Sequence, residues 1–130
     1  MENLVIVGER GEYFIPSVSL DASSGKFEIS GESYLEDTVK FYEPILNWMK
    51  QFTADVKSPI HLDIKLTYFN TSSSRSLLDI FYLLKEYENN GGEVKIDWYI
   101  KQFDYEMKEE IEDYMLDTEL TINIVKTDKL

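Results

Sequence analysis

Pro59-Ile60-His61-Leu62-Asp63-Ile64-Lys65-Leu66-Thr67-Tyr68-Phe69, running straight on into Asn70-Thr71-Ser72-Ser73-Ser74-Arg75-Ser76-Leu77-Leu78-Asp79-Ile80-Phe81, is the stretch whose reading decides the fold. Its first half has a period of two. Ile60, Leu62, Ile64, Leu66 and Tyr68 fall on one face, and His61, Asp63, Lys65, Thr67 and Phe69 on the other, which is the pattern of a strand. Its second half switches to helical spacing. Leu77, Ile80, Phe81, Leu84 and Tyr87 form a stripe that Leu78 and Leu83 widen. Asn89-Asn90-Gly91-Gly92 ends this helix, because Asn and Gly accept the left-handed backbone of a C-cap. A second strand follows, with Val94, Ile96, Trp98 and Ile100 alternating against Lys95, Asp97 and Tyr99. Strand, helix, strand in this order implies parallel pairing through a right-handed crossover.

The flanking segments extend the same alternation. Toward the N-terminus, Phe41, Ile45, Trp48 and Phe52 share a stripe, with Val39, Tyr42, Leu46 and Met49 beside it, so a helix is expected from about Asp37 to Phe52. Pro44 lies inside it and is expected to kink its first turns or delay its start. Before that helix, Val18 and Leu20 pair with Phe27 and Ile29 across the turn Asp21-Ala22-Ser23-Ser24-Gly25, and Leu4 to Val7 reads as a short strand. Beyond Ile100, an acidic helix from about Asp104 to Met115 precedes a last strand, Leu120 to Val125. The whole, residues 1–130, reads as a single α/β domain. Its sheet is mixed but mostly parallel, with an N-terminal hairpin and about three helices.

Composition narrows the function classes. The chain has 130 residues, 43% hydrophobic and 14% aromatic, enough to bury a core and too apolar for a disordered chain. Its 25 acidic residues against 13 basic ones give a net charge of −12, which argues against nucleic acid and anionic membrane surfaces as partners. With no cysteine, disulfides, zinc-thiolate sites and thiol catalysis are excluded. The opening residues lack a signal-peptide pattern and no stretch is long enough to span a bilayer, so a cytoplasmic protein is expected.

Enzyme chemistry finds little support. His61 is the only histidine; a Ser-His-Asp triad would need it beside Asp63 and a well-placed serine, and a histidine-rich metal site is impossible. Gly8-Glu9-Arg10-Gly11 lacks the spacing and the Lys-Ser/Thr pair of a phosphate loop. The acidic residues Asp104, Glu106, Glu109, Glu110, Glu112 and Asp113 have no calcium-loop pattern and read as a solvated helix face or a protein-docking face. No cofactor and no metal are expected.

The junction at Asn70 stands out. A helix start needs one capping residue, and Asn70 or Thr71 would serve; here Thr71, Ser72, Ser73, Ser74 and Ser76 add five hydroxyls. Serine within a helix is worse than alanine by roughly 0.5 kcal/mol, so propensity does not account for them. Between Pro59 and Asp79, Asp63 and Asp79 balance Lys65 and Arg75, a neutral window in a strongly acidic chain. A phosphate there would meet little repulsion and would face the free N–H groups of a helix start. On residues alone two readings stand: an over-hydroxylated cap, or a phosphorylation or anion site.

Gly31-Glu32-Ser33-Tyr34, Phe41-Tyr42-Glu43-Pro44-Ile45, Leu66-Thr67-Tyr68-Phe69-Asn70-Thr71-Ser72-Ser73-Ser74 and Gly91-Gly92-Glu93-Val94 occur in this order. Together they resemble the SiaC family of bacterial regulatory phosphoproteins, over about Ser17 to Val125. The resemblance implies a STAS-like fold of the anti-sigma-factor-antagonist type. It places the phosphoacceptor on Thr71, with Asn70, Ser72 and Ser73 as the surrounding motif. It implies a Ser/Thr kinase of the anti-sigma-factor type, a PP2C-type phosphatase, and a diguanylate cyclase as the target of the unphosphorylated form. Gly31, Glu32 and Ser33, read as lying just after the hairpin, and Arg75 are candidate partner contacts. The alternative is a constitutive acidic protein-binding module with no phospho-switch.

Overall fold

A computed structural model describes all 130 residues. The main sheet has six strands, here in order from one edge to the other. These are β1 (Leu4–Ile6), β4 (Ser17–Leu20), β5 (Lys26–Ser33), β6 (Ile60–Phe69), β7 (Val94–Lys101) and β8 (Asn123–Thr127). β1, β4 and β5 pair antiparallel, whereas β5 through β8 are parallel. The three parallel connections carry helices α1 (Thr38–Gln51), α2 (Thr71–Asn89) and α3 (Tyr105–Thr118). The expected hairpin, mixed sheet and three helices are all present. No helix is long and apolar enough to cross a membrane.

The strands advance one place at each crossover, so right-handed connections bring every helix to the same side. Accordingly α2 packs between α1 and α3, and one face of the sheet is covered. Phe27, Ile29, Leu62, Ile64, Ile96 and Trp98 fill the core from the sheet; Ile45, Met49, Leu77, Ile80, Phe81 and Ile111 fill it from the helices. The opposite face carries Lys26, Glu28, His61, Asp63, Lys65, Lys95 and Asp97, with no layer over it. The turn before β5 needs a glycine. Gly25 has φ +72°, and a Cβ there would lie 2.0 Å from the Pro59 carbonyl oxygen.

Five details depart from the sequence reading. α1 begins at Thr38 with Asp37 as its N-cap, and it continues through Pro44 with neither a delayed start nor a break. Its buried line is Tyr42, Ile45, Met49 and Phe52, one position away from the expected Phe41 and Trp48, which are half-buried; Val39 is exposed. A π-helical turn (Phe52–Val56) extends α1 to Lys57, which adopts a left-handed conformation. An unexpected two-stranded sheet, β2 (Glu9–Arg10) with β3 (Phe14–Ile15), is tied to the end of β5 by reciprocal hydrogen bonds between the backbones of Phe14 and Tyr34. Last, β8 starts at Asn123, so Leu120 and Ile122 enter the core from the loop before it.

The end of β6 holds the most consequential departure. Gly31 pairs with Leu66 but Glu32 pairs with Tyr68, so Thr67 is an extra residue in β6. A bulge of this kind inverts the alternation beyond it. Tyr68, expected inside, is 49% exposed. Phe69, expected outside, packs on Trp98 and Tyr114 with ring centroids 5.9 and 6.3 Å away. Gly31, opposite the bulge, has φ +97°, a conformation in which a side chain would be strained.

Candidate functional site

The start of α2 sits where β5 and β6 end side by side. Asn70 is the N-cap: its backbone is extended and its side chain accepts from the Ser73 N–H at 3.0 Å. Its own N–H donates to the Ser33 carbonyl at 3.1 Å, which ties the cap to the last residue of β5.

Three serines of the first turn each bind a different element. Ser73 is buried and donates to the Ser33 carbonyl at 3.1 Å, while Ser33 Oγ donates to Ser73 Oγ at 2.8 Å. That uses the Ser33 proton, so the Tyr42 hydroxyl of α1 is the donor in its 2.7 Å bond with Ser33. Ser72 Oγ lies 2.7 Å from Thr38 Oγ1 at the start of α1 and 3.3 Å from Asn70 Oδ1, to which it donates. The Tyr114 hydroxyl of α3 donates to the Ser74 carbonyl at 3.0 Å, leaving Ser74 Oγ to donate back across 2.9 Å. Burial pushes the Tyr42 phenol up to about 12, opposed by its hydrogen bond with Ser33. Burial also pushes Tyr114 up to about 12, the Ser74 bond opposing and nearby Glu110 adding to it.

The excess of serine is therefore structural. Hydroxyls can donate and accept at once, so they join α2 to α1, β5 and α3 without burying charge. Thr71 takes no part. It is the first helical residue, is exposed, and its hydroxyl has no protein partner. Arg75, one turn further along and also exposed, reaches Asp79 at 3.5 Å.

The sequence placed Ser33 among candidate partner contacts, and this is corrected: Ser33 is fully buried in the hydroxyl network. Glu32 is half-buried and pairs with Arg10 at 3.5 Å. Gly31 to Ser33 belong to β5 itself and do not follow it. A shelf of exposed or half-buried rings, Tyr13, Phe14, Tyr34 and Tyr68, lies beside this junction, with Tyr34 at 5.9, 6.4 and 6.5 Å from the other three. Alternation alone could not reveal the shelf, since Tyr68 faces outward only because of the bulge.

Comparison with known proteins gives a consistent picture. A family model described as SiaC family regulatory phosphoprotein matches residues 10–127. An uncharacterised protein of Pseudomonas aeruginosa is 30% identical over 107 residues, which is 82% of this chain and 85% of that protein. The crystal structure of apo-SiaC from Pseudomonas aeruginosa superposes with a TM-score of 0.84 at 29% identity, covering 96% of this chain and 99% of that one. SiaC in the crystal structure of the diguanylate cyclase SiaD in complex with its activator SiaC, also from Pseudomonas aeruginosa, gives 0.85 at 27% identity, covering 94% and 100%. The chain described here belongs to the SiaC family of regulatory phosphoproteins.

Proposed function

We propose that this protein is a non-enzymatic, cytoplasmic partner-switching regulator whose input is reversible phosphorylation of Thr71 and whose output is activation of a diguanylate cyclase. A Ser/Thr kinase of the anti-sigma-factor type adds the phosphate and a PP2C-type phosphatase removes it. The unphosphorylated form binds the cyclase and raises cyclic di-GMP. The cyclase is inferred from the SiaD complex of the Pseudomonas aeruginosa relative. The phosphoacceptor rests on one observation: among the four hydroxyls at residues 71–74, only that of Thr71 is both exposed and unpartnered.

The mechanism follows from placement. A phosphate on Thr71 adds about −1.5 to −2 charge at a helix N-terminus, where the dipole and free N–H groups favour it. Thr71 and Arg75 are one helical turn apart, so the phosphate can draw the guanidinium from its exposed partner Asp79. Docking that covers the helix start and the Tyr34–Tyr68 shelf would have to strip water from the new dianion. Without cations on the partner, the complex is lost. The inner serines keep their bonds throughout, so the switch changes surface charge and leaves the fold alone.

Incubation with the cognate kinase and ATP, followed by phosphopeptide mapping, tests this reading. Phosphate should be found on Thr71, and Thr71→Ala should not be labelled. Phosphate on another residue, or normal labelling of Thr71→Ala, would overturn the assignment.

A further inference from the structure

The bare face of the sheet carries a row of acids. Glu28, Asp63, Asp97 and Asn123 are direct neighbours across β5, β6, β7 and β8. Like charges directly opposed across strands repel. Glu28 is neutralised by Lys65 at 2.7 Å, but Asp63 and Asp97 face each other beside His61. Asp97 is fixed by Asn123, whose Nδ2 donates to Oδ1 at 3.0 Å, and Lys95 lies 3.8 Å from Oδ2. Asp63 Oδ2 accepts from Lys26 at 2.7 Å.

One oxygen is left over. Asp63 Oδ1 is buried, on a side chain only 9% exposed, and accepts no hydrogen bond. His61 Nε2 is 3.1 Å from it and 2.9 Å from Asp97 Oδ2. The Lys26 ammonium lies 3.3 Å from Nδ1, which must therefore be the unprotonated nitrogen. The single proton on Nε2 is given to Asp97, and Asp63 Oδ1 gets none.

We propose that His61, Asp63 and Asp97 form a binding site for a divalent first-row transition ion, with Lys26 as its built-in competitor. One ligand atom from each of His61, Asp63 and Asp97 can be chosen so that all three lie within 4.8 Å of one another. Ligand atoms at about 2.0–2.2 Å from a metal sit roughly 2.8–3.1 Å apart as neighbours in an octahedral set and roughly 3.3–3.6 Å apart in a tetrahedral one; the spacings of 3.1 and 2.9 Å from Nε2 to the two oxygens match the first and need only a slight opening for the second. One imidazole and two carboxylates suit Zn2+, Mn2+, Co2+ or Ni2+ better than Mg2+ or Ca2+, which prefer all-oxygen sets. The ion would satisfy the orphaned oxygen and replace the repulsion between the two aspartates by a shared attraction.

Binding has a definite proton balance. The Nε2 lone pair goes to the metal, and the ring proton moves from Nε2 to Nδ1, with no net release. The new Nδ1–H then points at the Lys26 ammonium, donor against donor. Lys26 is half-exposed and must turn away, so it opposes the metal by position as well as by charge. Lys26→Gln removes the charge and offers an amide oxygen to Nδ1–H, the acceptor that metal-bound histidines normally have.

The test uses the full chain. His61 is the only histidine, so its ring signals need no assignment. Titration with Zn2+, followed by 15N NMR of the ring and by calorimetry, should convert Nε2 to the metal-bound type and Nδ1 to the N–H type. Mg2+ and Ca2+ should cause neither change. Lys26→Gln should tighten Zn2+ binding roughly 10-fold, and Asp97→Asn, confirmed folded by its thermal transition, should weaken it at least as much. An unchanged His61 tautomer at millimolar Zn2+ would overturn the proposal. So would Zn2+ affinity that Asp97→Asn and Lys26→Gln leave unaltered, since the ion would then sit on another acidic surface such as that of α3.

Discussion

The protein contains two polar clusters built on opposite principles. At the start of α2, hydroxyls from three elements close on themselves: Tyr42 donates to Ser33, Ser33 to Ser73, and Ser73 to the Ser33 carbonyl. On the bare face of the sheet, carboxylates can only accept, and one proton on His61 cannot serve both Asp63 and Asp97. The first cluster is neutral and satisfied, and it resists added charge. The second is charged and one donor short, and it invites a cation. Thr71 stands at the edge of the first cluster without belonging to it, so the proposed phosphate would fall outside the bonded part of the turn.

Putting charge inside and outside that turn should separate the two roles most widely. Ser73→Asp buries a carboxylate among groups already paired and should cost about 3–5 kcal/mol by denaturant unfolding. Thr71→Asp, two residues earlier, meets only solvent and a helix N-terminus and should stabilise by about 0.3–1 kcal/mol. Equal effects at the two positions would mean that the turn has no inside and outside.

Alkali should attack the same network. The pKa of Tyr42 and that of Tyr114 are both raised to about 12 in the folded protein, so the neutral phenol is the form that folding favours. Their contribution is full below the unfolded value near 10 and is lost as pH rises from about 10 to 12, on the order of 2 kcal/mol for each ring. Tyr42→Phe and Tyr114→Phe should flatten this fall while costing about 1 kcal/mol each at neutral pH. Thr71→Ala should leave the pH profile as it is.

Smaller effects test the edge of the site. Asn70→Ala removes the cap bond to Ser73 and should cost about 1 kcal/mol. Arg75→Ala breaks only an exposed pair and should change the stability of the unphosphorylated form by less than about 0.5 kcal/mol. Its effect should appear once Thr71 carries phosphate, as a lower melting temperature of the phosphorylated variant relative to phosphorylated wild type.

Much of this was legible in the sequence, because periodicity reports which faces are buried. The alternation of Ile60 to Leu66 and of Val94 to Ile100 located the central strands, and the Asn89–Gly92 cluster located the end of α2. Asn70 was readable as a cap. Contacts set by register were not readable. One extra residue, Thr67, turned Tyr68 outward and Phe69 inward, and nothing in local composition signals a bulge. Ser33 is as polar as any surface residue, and only the pairing of β5 with β6 brings it to Ser73. Likewise Asp63 and Asp97 are 34 positions apart and meet because β6 and β7 pair in that register.

Phosphate on Thr71 is proposed to break partner binding while the hydroxyl network beneath it stays intact. The most direct test measures cyclase binding and cyclic di-GMP output for the protein stoichiometrically phosphorylated by its kinase, with Thr71→Ala as the control. The phosphorylated wild type should lose binding and activation while its amide spectrum at Ser33, Tyr42 and Ser73 is unchanged, and Thr71→Ala should bind whether or not the kinase is present. Undiminished activation by the phosphorylated protein, or loss of activation by kinase-treated Thr71→Ala, would mean that Thr71 is not the switch.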